Sequence, residues 1–225
     1  MFASALVSLL LFSISVSAHG SVSSPIPRSP GDAMKSVCGS TVTGILSSDI
    51  NTNQQALEQN SHQADGGFTD ACQLYLCKGT QFEDNSANVE SYSLGQTVDF
   101  TVNIVAPHTG VANVSIVNTN TNTIIGEPLI SWEDYASNSH TIPSNQTSFS
   151  ITIPSTLDST CSTAGNCVLQ WWWDARSIDQ TYMSCIDFAV SGGSTTSSNG
   201  TPSSTLISSI SSSTTPTSTA IEEDC

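Results

Sequence analysis

His19 follows Ser15-Val16-Ser17-Ala18 and precedes Gly20. The small residues before it make a cleavage site of the kind that ends an export signal, so a cut after Ala18 leaves His19 as the first residue. A free amine and the imidazole of the same residue close a chelate ring on one metal ion, which no internal histidine can do. A second imidazole is offered by His108 in Ala106-Pro107-His108-Thr109-Gly110, a turn bounded by Pro and Gly that can hold a side chain rigidly. A third element is Asp179-Gln180-Thr181-Tyr182-Met183-Ser184-Cys185, where Gln180 and Tyr182 are two apart and face the same way in extended chain. The amine, His19 and His108 supply nitrogen donors, a set that suits one copper ion, since nitrogen sites rank Cu²⁺ above the other first-row divalent metals. Tyr182 then stands as an axial neighbour, and Gln180 as the amide that hydrogen-bonds a small oxygen species. His62 and His140 lie in polar, loop-like stretches and read as solvated.

Leu6 to Val16 is an apolar run too short to span a bilayer, and residues 1–18 read as a signal peptide. The expected location is therefore extracellular, where cysteines pair. Four Lys plus Arg against nineteen Asp plus Glu give a net charge of -15, which repels phosphate backbones and sets nucleic acid aside as a partner. No membrane partner is expected either, and the chain should be a monomer. Its many Ser, Thr, Asn and Gln residues suit contact with hydroxyl-rich neutral polymers. From about Ser191 to Cys225 the composition shifts to Ser, Thr, Gly and Pro, which cannot bury a core and reads as a disordered, O-glycosylated tail without a lipid-anchor signal.

Of seven cysteines, six lie between Cys38 and Cys185, and Cys225 stands alone. Cys72 with Cys77 and Cys161 with Cys167 look like two local loops, which leaves Cys38 with Cys185. Zinc would be the competing use of such spacing, but export and the missing companion histidines speak against it. Asn113, Asn145 and Asn199 head glycosylation sequons.

The elements that must position these groups are strands. Val98, Phe100, Val102 and Ile104 alternate with polar residues, as do Phe149, Ile151 and Ile153, and Val111 to Val117, Val168 to Trp173 and Met183 to Val190 are further candidates. Helical periodicity is confined to a short piece near Gln54 to Asn60. The expected fold over residues 19–190 is all-β: an antiparallel β-sandwich, immunoglobulin-like or fibronectin-like, with long loops.

His19-Gly20 with Pro25-Ile26-Pro27-Arg28, the Ala106-to-Gly110 loop, Cys72-Gln-Leu-Tyr-Leu-Cys77, Leu169-Gln-Trp-Trp-Trp-Asp174 and Gln180-Thr-Tyr182-Met-Ser-Cys185 together resemble the fungal lytic polysaccharide monooxygenases, auxiliary activity family sixteen in particular. The resemblance implies a copper enzyme that takes electrons from an external donor and uses O2 or H2O2 to oxidise a glycosidic carbon, with cellulose-type β-glucan as substrate. It implies that His19 binds through its amine and Nδ1 and His108 through its other ring nitrogen, with Tyr182 axial and Gln180 positioning the oxygen species. One departure stands out: the larger cellulose-active family carries a histidine where this chain has Gln170-Trp171-Trp172-Trp173. Tyr75, Trp132 and Tyr135 are loop candidates for contact with a flat polymer, with core or edge packing the favoured alternative for each, whereas Trp171 and Trp173 should be buried. A non-catalytic copper-binding protein of related fold and a metal-free carbohydrate-binding module are the alternatives.

Overall fold

The computed structural model describes residues 19–61 and 67–191. The expected signal peptide, His62, Asn199, Cys225 and the tail from residue 192 lie outside the described residues. Strand β1 (His19–Ser24) is followed by helices α1 (Asp32–Ser48) and α2 (Gln54–Ser61), and then by β2 (Glu90–Tyr92), β3 (Thr97–Ala106), β4 (Gly110–Asn118) and β5 (Thr123–Ile124). Strands β6 (Ile130–Tyr135), β7 (Ser148–Thr152), β8 (Cys167–Ala175) and β9 (Gln180–Val190) complete the order.

Two sheets face each other. One has the order β1-β3-β7; the other runs β2-β9-β8-β4-β5, with β6 also paired to β4. The pairs are antiparallel except β2 with β9, which is parallel. The period of two in β3 does what half-burial demands: Val98, Phe100 and Val102 point inward while Thr97, Asp99 and Thr101 stay exposed. They meet Val114, Ile116, Leu169, Trp171, Trp173, Tyr182, Ile186 and Phe188 from the larger sheet in one core. Burying each large apolar side chain contributes about 1.5 to 3 kcal/mol relative to leaving it exposed, so the expected β-sandwich is the arrangement the strand pattern favours.

The outer face of β9 is also covered, because α2 and the turn around Cys77 pack on it. Helix α1 was not expected from its Ser, Thr and Gly content. It exists because Met34, Cys38, Val42 and Leu46, each four residues on, form one buried stripe, and because the Asp84 carboxylate accepts the amides of Ala33 and Met34 at 2.9 and 2.8 Å. That cap comes from far along the chain. Gly39, at φ 79°, kinks the helix midway.

Two of the three expected disulfides are corrected. The bonds are Cys38–Cys72, Cys77–Cys185 and Cys161–Cys167, so only the last matches the spacing argument. Cys72 and Cys77 are close in sequence but face different clusters. Cys72 and Leu74 join Met34, Val42, Leu46 and Leu57 on the helices, while Leu76 and Cys77 pack with Val117, Val168 and Cys185 on the sheet. The segment between them therefore staples the helical layer to β9 instead of closing on itself.

Candidate metal centre

His19 opens β1 and pairs in register with Ala106 at the end of β3. His108 is two residues further on, in the turn that leads to Gly110 and β4. Gly110 lies so close to β8 that a Cβ there would stand 2.2 Å from the Asp174 carbonyl oxygen and 2.9 Å from Trp173 Nε1. Trp173 in turn pairs with Tyr182 across β8 and β9, their rings stacked at 4.9 Å. At Gly20 a Cβ would be 3.3 Å from Trp173 Cζ3. The three expected segments thus converge on one end of the sandwich around the Trp173 indole, and the two glycines let the strands carrying the histidines approach it.

Within that cluster the expected pairing of Gln180 with Tyr182 is direct: the Tyr182 hydroxyl donates to Gln180 Oε1 at 2.5 Å. Tyr182 is fully buried, and burial is the main reason its hydroxyl ionises well above the usual phenol range, with the Asp49 charge adding to the rise and a side-chain hydrogen bond with Asn53 opposing it. His19 turns its Nε2 toward Asp49 Oδ2 at 3.7 Å. Asp49 and Asn53 belong to the turn between α1 and α2, and Gln55 clasps the start of β9, accepting the Thr181 amide at 2.8 Å and donating to the Thr181 hydroxyl at 3.0 Å. Asp49, Asn53 and Gln55 carry no motif that marks them in the sequence; only the docking of the helical layer brings them here.

Among the described residues no three His, Cys, Asp or Glu side chains converge in a way that could hold a metal ion. A metal held by His19 and His108 would take its third nitrogen from the His19 amine, with Tyr182 as the expected axial neighbour. The residues fit such a group in one respect. His108 is buried with an Nδ1 that has no hydrogen-bond partner, a buried polar atom that the protein does not itself satisfy, whereas the ring nitrogen expected to bind the metal is the other one.

A family model described as lytic polysaccharide mono-oxygenase, cellulose-degrading, matches residues 19–188. The chain belongs to the lytic polysaccharide monooxygenases. The match begins at His19, the residue that the expected cleavage exposes. It is made to the family-ten model, so it supports the monooxygenase family and not the family-sixteen branch. Among solved structures the chain is similar to a Bacillus amyloliquefaciens CBM33 protein in complex with Cu(I) after photoreduction, at 16% identity, covering 77% of this chain and 100% of that one with a TM-score of 0.44. It is also similar to the family AA15 lytic polysaccharide monooxygenase from Thermobia domestica in the Cu(I) state, at 19% identity over 76% and 98% of the two chains with a TM-score of 0.37. A Jonesia denitrificans lytic polysaccharide monooxygenase is similar at 18% identity over 77% and 100%, with a TM-score of 0.35. Comparison with the curated proteins returns no match.

The aromatic residues expected to meet the polymer divide. Tyr135 is on β6, fully buried, and donates its hydroxyl to the Gln146 carbonyl at 2.7 Å. Trp132, on the same strand, is half-buried against Tyr135 and Phe149. These two take the core-packing alternative, because β6 adds to the β4 edge and turns them onto the sandwich. Tyr75 is 50% exposed. Its hydroxyl donates to Glu58 Oε2 at 2.7 Å, and the charges of Asp179 and Arg176, next to Gln180, reach it. Trp171 and Trp173 are buried as expected. Gln170, in the stretch where the larger family carries a histidine, points to the opposite face of the sheet, near Met183 and Cys185. His140 is exposed, and Thr141 and Asp134 raise its pKa from the usual value. Among the sequons, Asn145 is exposed, whereas Asn113 sits within β4 and accepts a hydrogen bond from Ser115 at 2.9 Å.

Proposed function

We propose that this family member is a secreted copper enzyme that oxidatively breaks a crystalline polysaccharide, with cellulose-type β-glucan as its substrate. The observation that carries the reading is the convergence of the His19–Gly20 start of β1, the His108–Gly110 turn and the Tyr182–Gln180 pair around Trp173, where the matched family region begins. Processing after Ala18 would give His19 its amine, and the amine, His19 Nδ1 and a ring nitrogen of His108 would hold one copper ion. When bound, copper supplies the one-electron chemistry by which an external donor and O2 or H2O2 oxidise a glycosidic carbon.

The protein's own contribution is positional. By donating to Gln180 Oε1, Tyr182 orients the amide, and the role proposed for Gln180 is to hydrogen-bond a small oxygen species when copper is bound. Buried Tyr182 stays protonated across the physiological range and keeps this orientation. Tyr75, exposed on the side of Asp179, offers a ring face to a sugar. The assignment to the fungal family-sixteen branch rests on the quoted motifs, and glycan on Asn145 rests on its sequon and exposure.

Mass spectrometry of products from copper-loaded, correctly processed protein with ascorbate, on cellulose, chitin and hemicellulose, tests the reading. Oxidised oligosaccharides from cellulose are expected. Tight copper binding with no oxidised product from any polymer would instead assign the chain as a copper carrier. Polymer binding without copper binding would assign a carbohydrate module.

A further inference from the structure

Lys78 is 3% exposed. A lysine so deeply buried needs a reason, because taking an ammonium out of water costs several kcal/mol unless partners offset it. Its backbone is held in the left-handed region at φ 57°, between Cys77 at φ 54° and Gly79 at φ 78°. Non-glycine residues avoid that region, and two in succession persist only where the surroundings impose them. Here Cys77 is bonded to Cys185, three residues after Tyr182. The reversed backbone aims the Lys78 side chain at the turn between α1 and α2, where Nζ donates to the Ile50 carbonyl and, at 3.4 Å, to that of Thr52.

That turn is otherwise closed by short-range bonds. The Asn51 amide and side chain donate to Asp49 Oδ1 at 2.9 and 2.8 Å, the Thr52 amide donates to the Asp49 carbonyl at 3.1 Å, and Asn53 Oδ1 caps α2 by accepting the Ala56 amide at 2.8 Å. Its outer side carries the Asp49 carboxylate facing His19 and the Asn53 side chain facing Tyr182. Among the described residues it is Lys78 that reaches the Ile50 and Thr52 carbonyls, while Gln55 separately ties the start of α2 to β9.

We infer that Lys78 is a positioning residue, a buried pin that ties the 49–53 turn to the Cys77–Cys185 anchor on β9 and so sets Asp49 against His19 and Asn53 against Tyr182. The inference rests on the reading of His19 and Tyr182 as the reactive centre, although the pin itself can be read without copper. Asp49 cannot then shift relative to His19 without breaking the two Lys78 bonds. The turn becomes part of the site's frame instead of a loose cover.

The test compares copper-free wild-type protein with Lys78→Met, which keeps the stem and removes the donors, and with Lys78→Gln, which keeps a neutral donor. Amide exchange of Thr52, Ala56 and Thr181 is expected to quicken ten- to a hundredfold in Lys78→Met while the β4 and β8 amides keep their protection. The NMR signals of the His19 and Tyr182 rings should shift with them, and Lys78→Gln should restore part of both. Uniform loss of protection across β4 and β8, or a loosened turn with unmoved His19 and Tyr182 signals, overturns the inference. Should neither variant fold, coupling across the hydrogen bonds from Nζ to the Ile50 and Thr52 carbonyls, measured in the wild-type protein at low pH, decides, and its absence likewise overturns it. A loosened turn with shifted rings in a protein that binds no copper would sink the copper reading and leave the pin standing.

Discussion

Gln180 separates a copper enzyme from a copper carrier, because a carrier has no use for an amide oriented by Tyr182. If that amide donates to a charged or charge-developing oxygen, its loss in Gln180→Ala should cost about 1.5 to 3 kcal/mol, a ten- to hundredfold fall in the rate of oxidised-sugar release. Copper affinity should hardly change, since Gln180 is not proposed as a ligand. Calorimetric copper titration and timed product release on the same variant check both halves. A rate that merely follows copper occupancy would count against the role. In the proposed site affinity would rest on the His19 amine: one extra residue before it would convert that amine into an amide, so titration of the extended form should show tight binding lost. His108→Ala should likewise alter the Cu(II) paramagnetic spectrum.

At the scale of elements, the approach of β4 to β8 fixes where the His108 turn can lie. Gly110→Ala would place a methyl group 2.2 Å from a backbone carbonyl, a contact that only backbone movement can relieve. Core overpacking of this kind costs typically about 1 to 3 kcal/mol, so a lower Tm and weaker copper binding are expected together. A variant with unchanged copper affinity would uncouple the turn from the site. The strands that create this arrangement were legible because a two-residue period in β3 and β7 allows only one face to be buried. Helix α1 was legible only in its Met34, Cys38, Val42 and Leu46 stripe, obscured by poor helix formers and by a cap lent from Asp84. Disulfide partners were not legible, since neighbouring cysteines on a turn can face opposite layers, as Cys72 and Cys77 do. Asp49 and Asn53 escaped for the same reason: their proximity to His19 and Tyr182 is made by layer packing, which leaves no spacing in the sequence.

In the molecule as a whole, the Cys77–Cys185 bond and the buried Lys78 join the Gln55–Thr181 hydrogen bonds in holding the helical layer to the sandwich. Cys77–Cys185 spans 108 residues, and closing so long a loop restricts the unfolded chain by about 4 to 5 kcal/mol in the entropy model. A Cys77→Ser, Cys185→Ser pair should therefore lower the midpoint of denaturation markedly and loosen the Cys77 turn from β9. Lys78 acts in the opposite sense near neutrality. Burial lowers its pKa to about 7, with the Asp49 carboxylate partly countering the fall. The unfolded chain, with an ordinary lysine, binds more protons than the folded one between pH 7 and about 10.5. Stability from this group therefore rises with pH across that window, by on the order of 1 kcal/mol per pH unit at its steepest, and the burial penalty is fully present below it. Lys78→Met lacks the titration. The difference in Tm between wild type and Lys78→Met, followed by circular dichroism, should stay flat from pH 5 to 6.5 and move in favour of wild type from pH 7 to 10. A difference that stays flat across both ranges would mean that Lys78 titrates as an ordinary lysine and that its ammonium is fully compensated by the Ile50 and Thr52 carbonyls and Asp49.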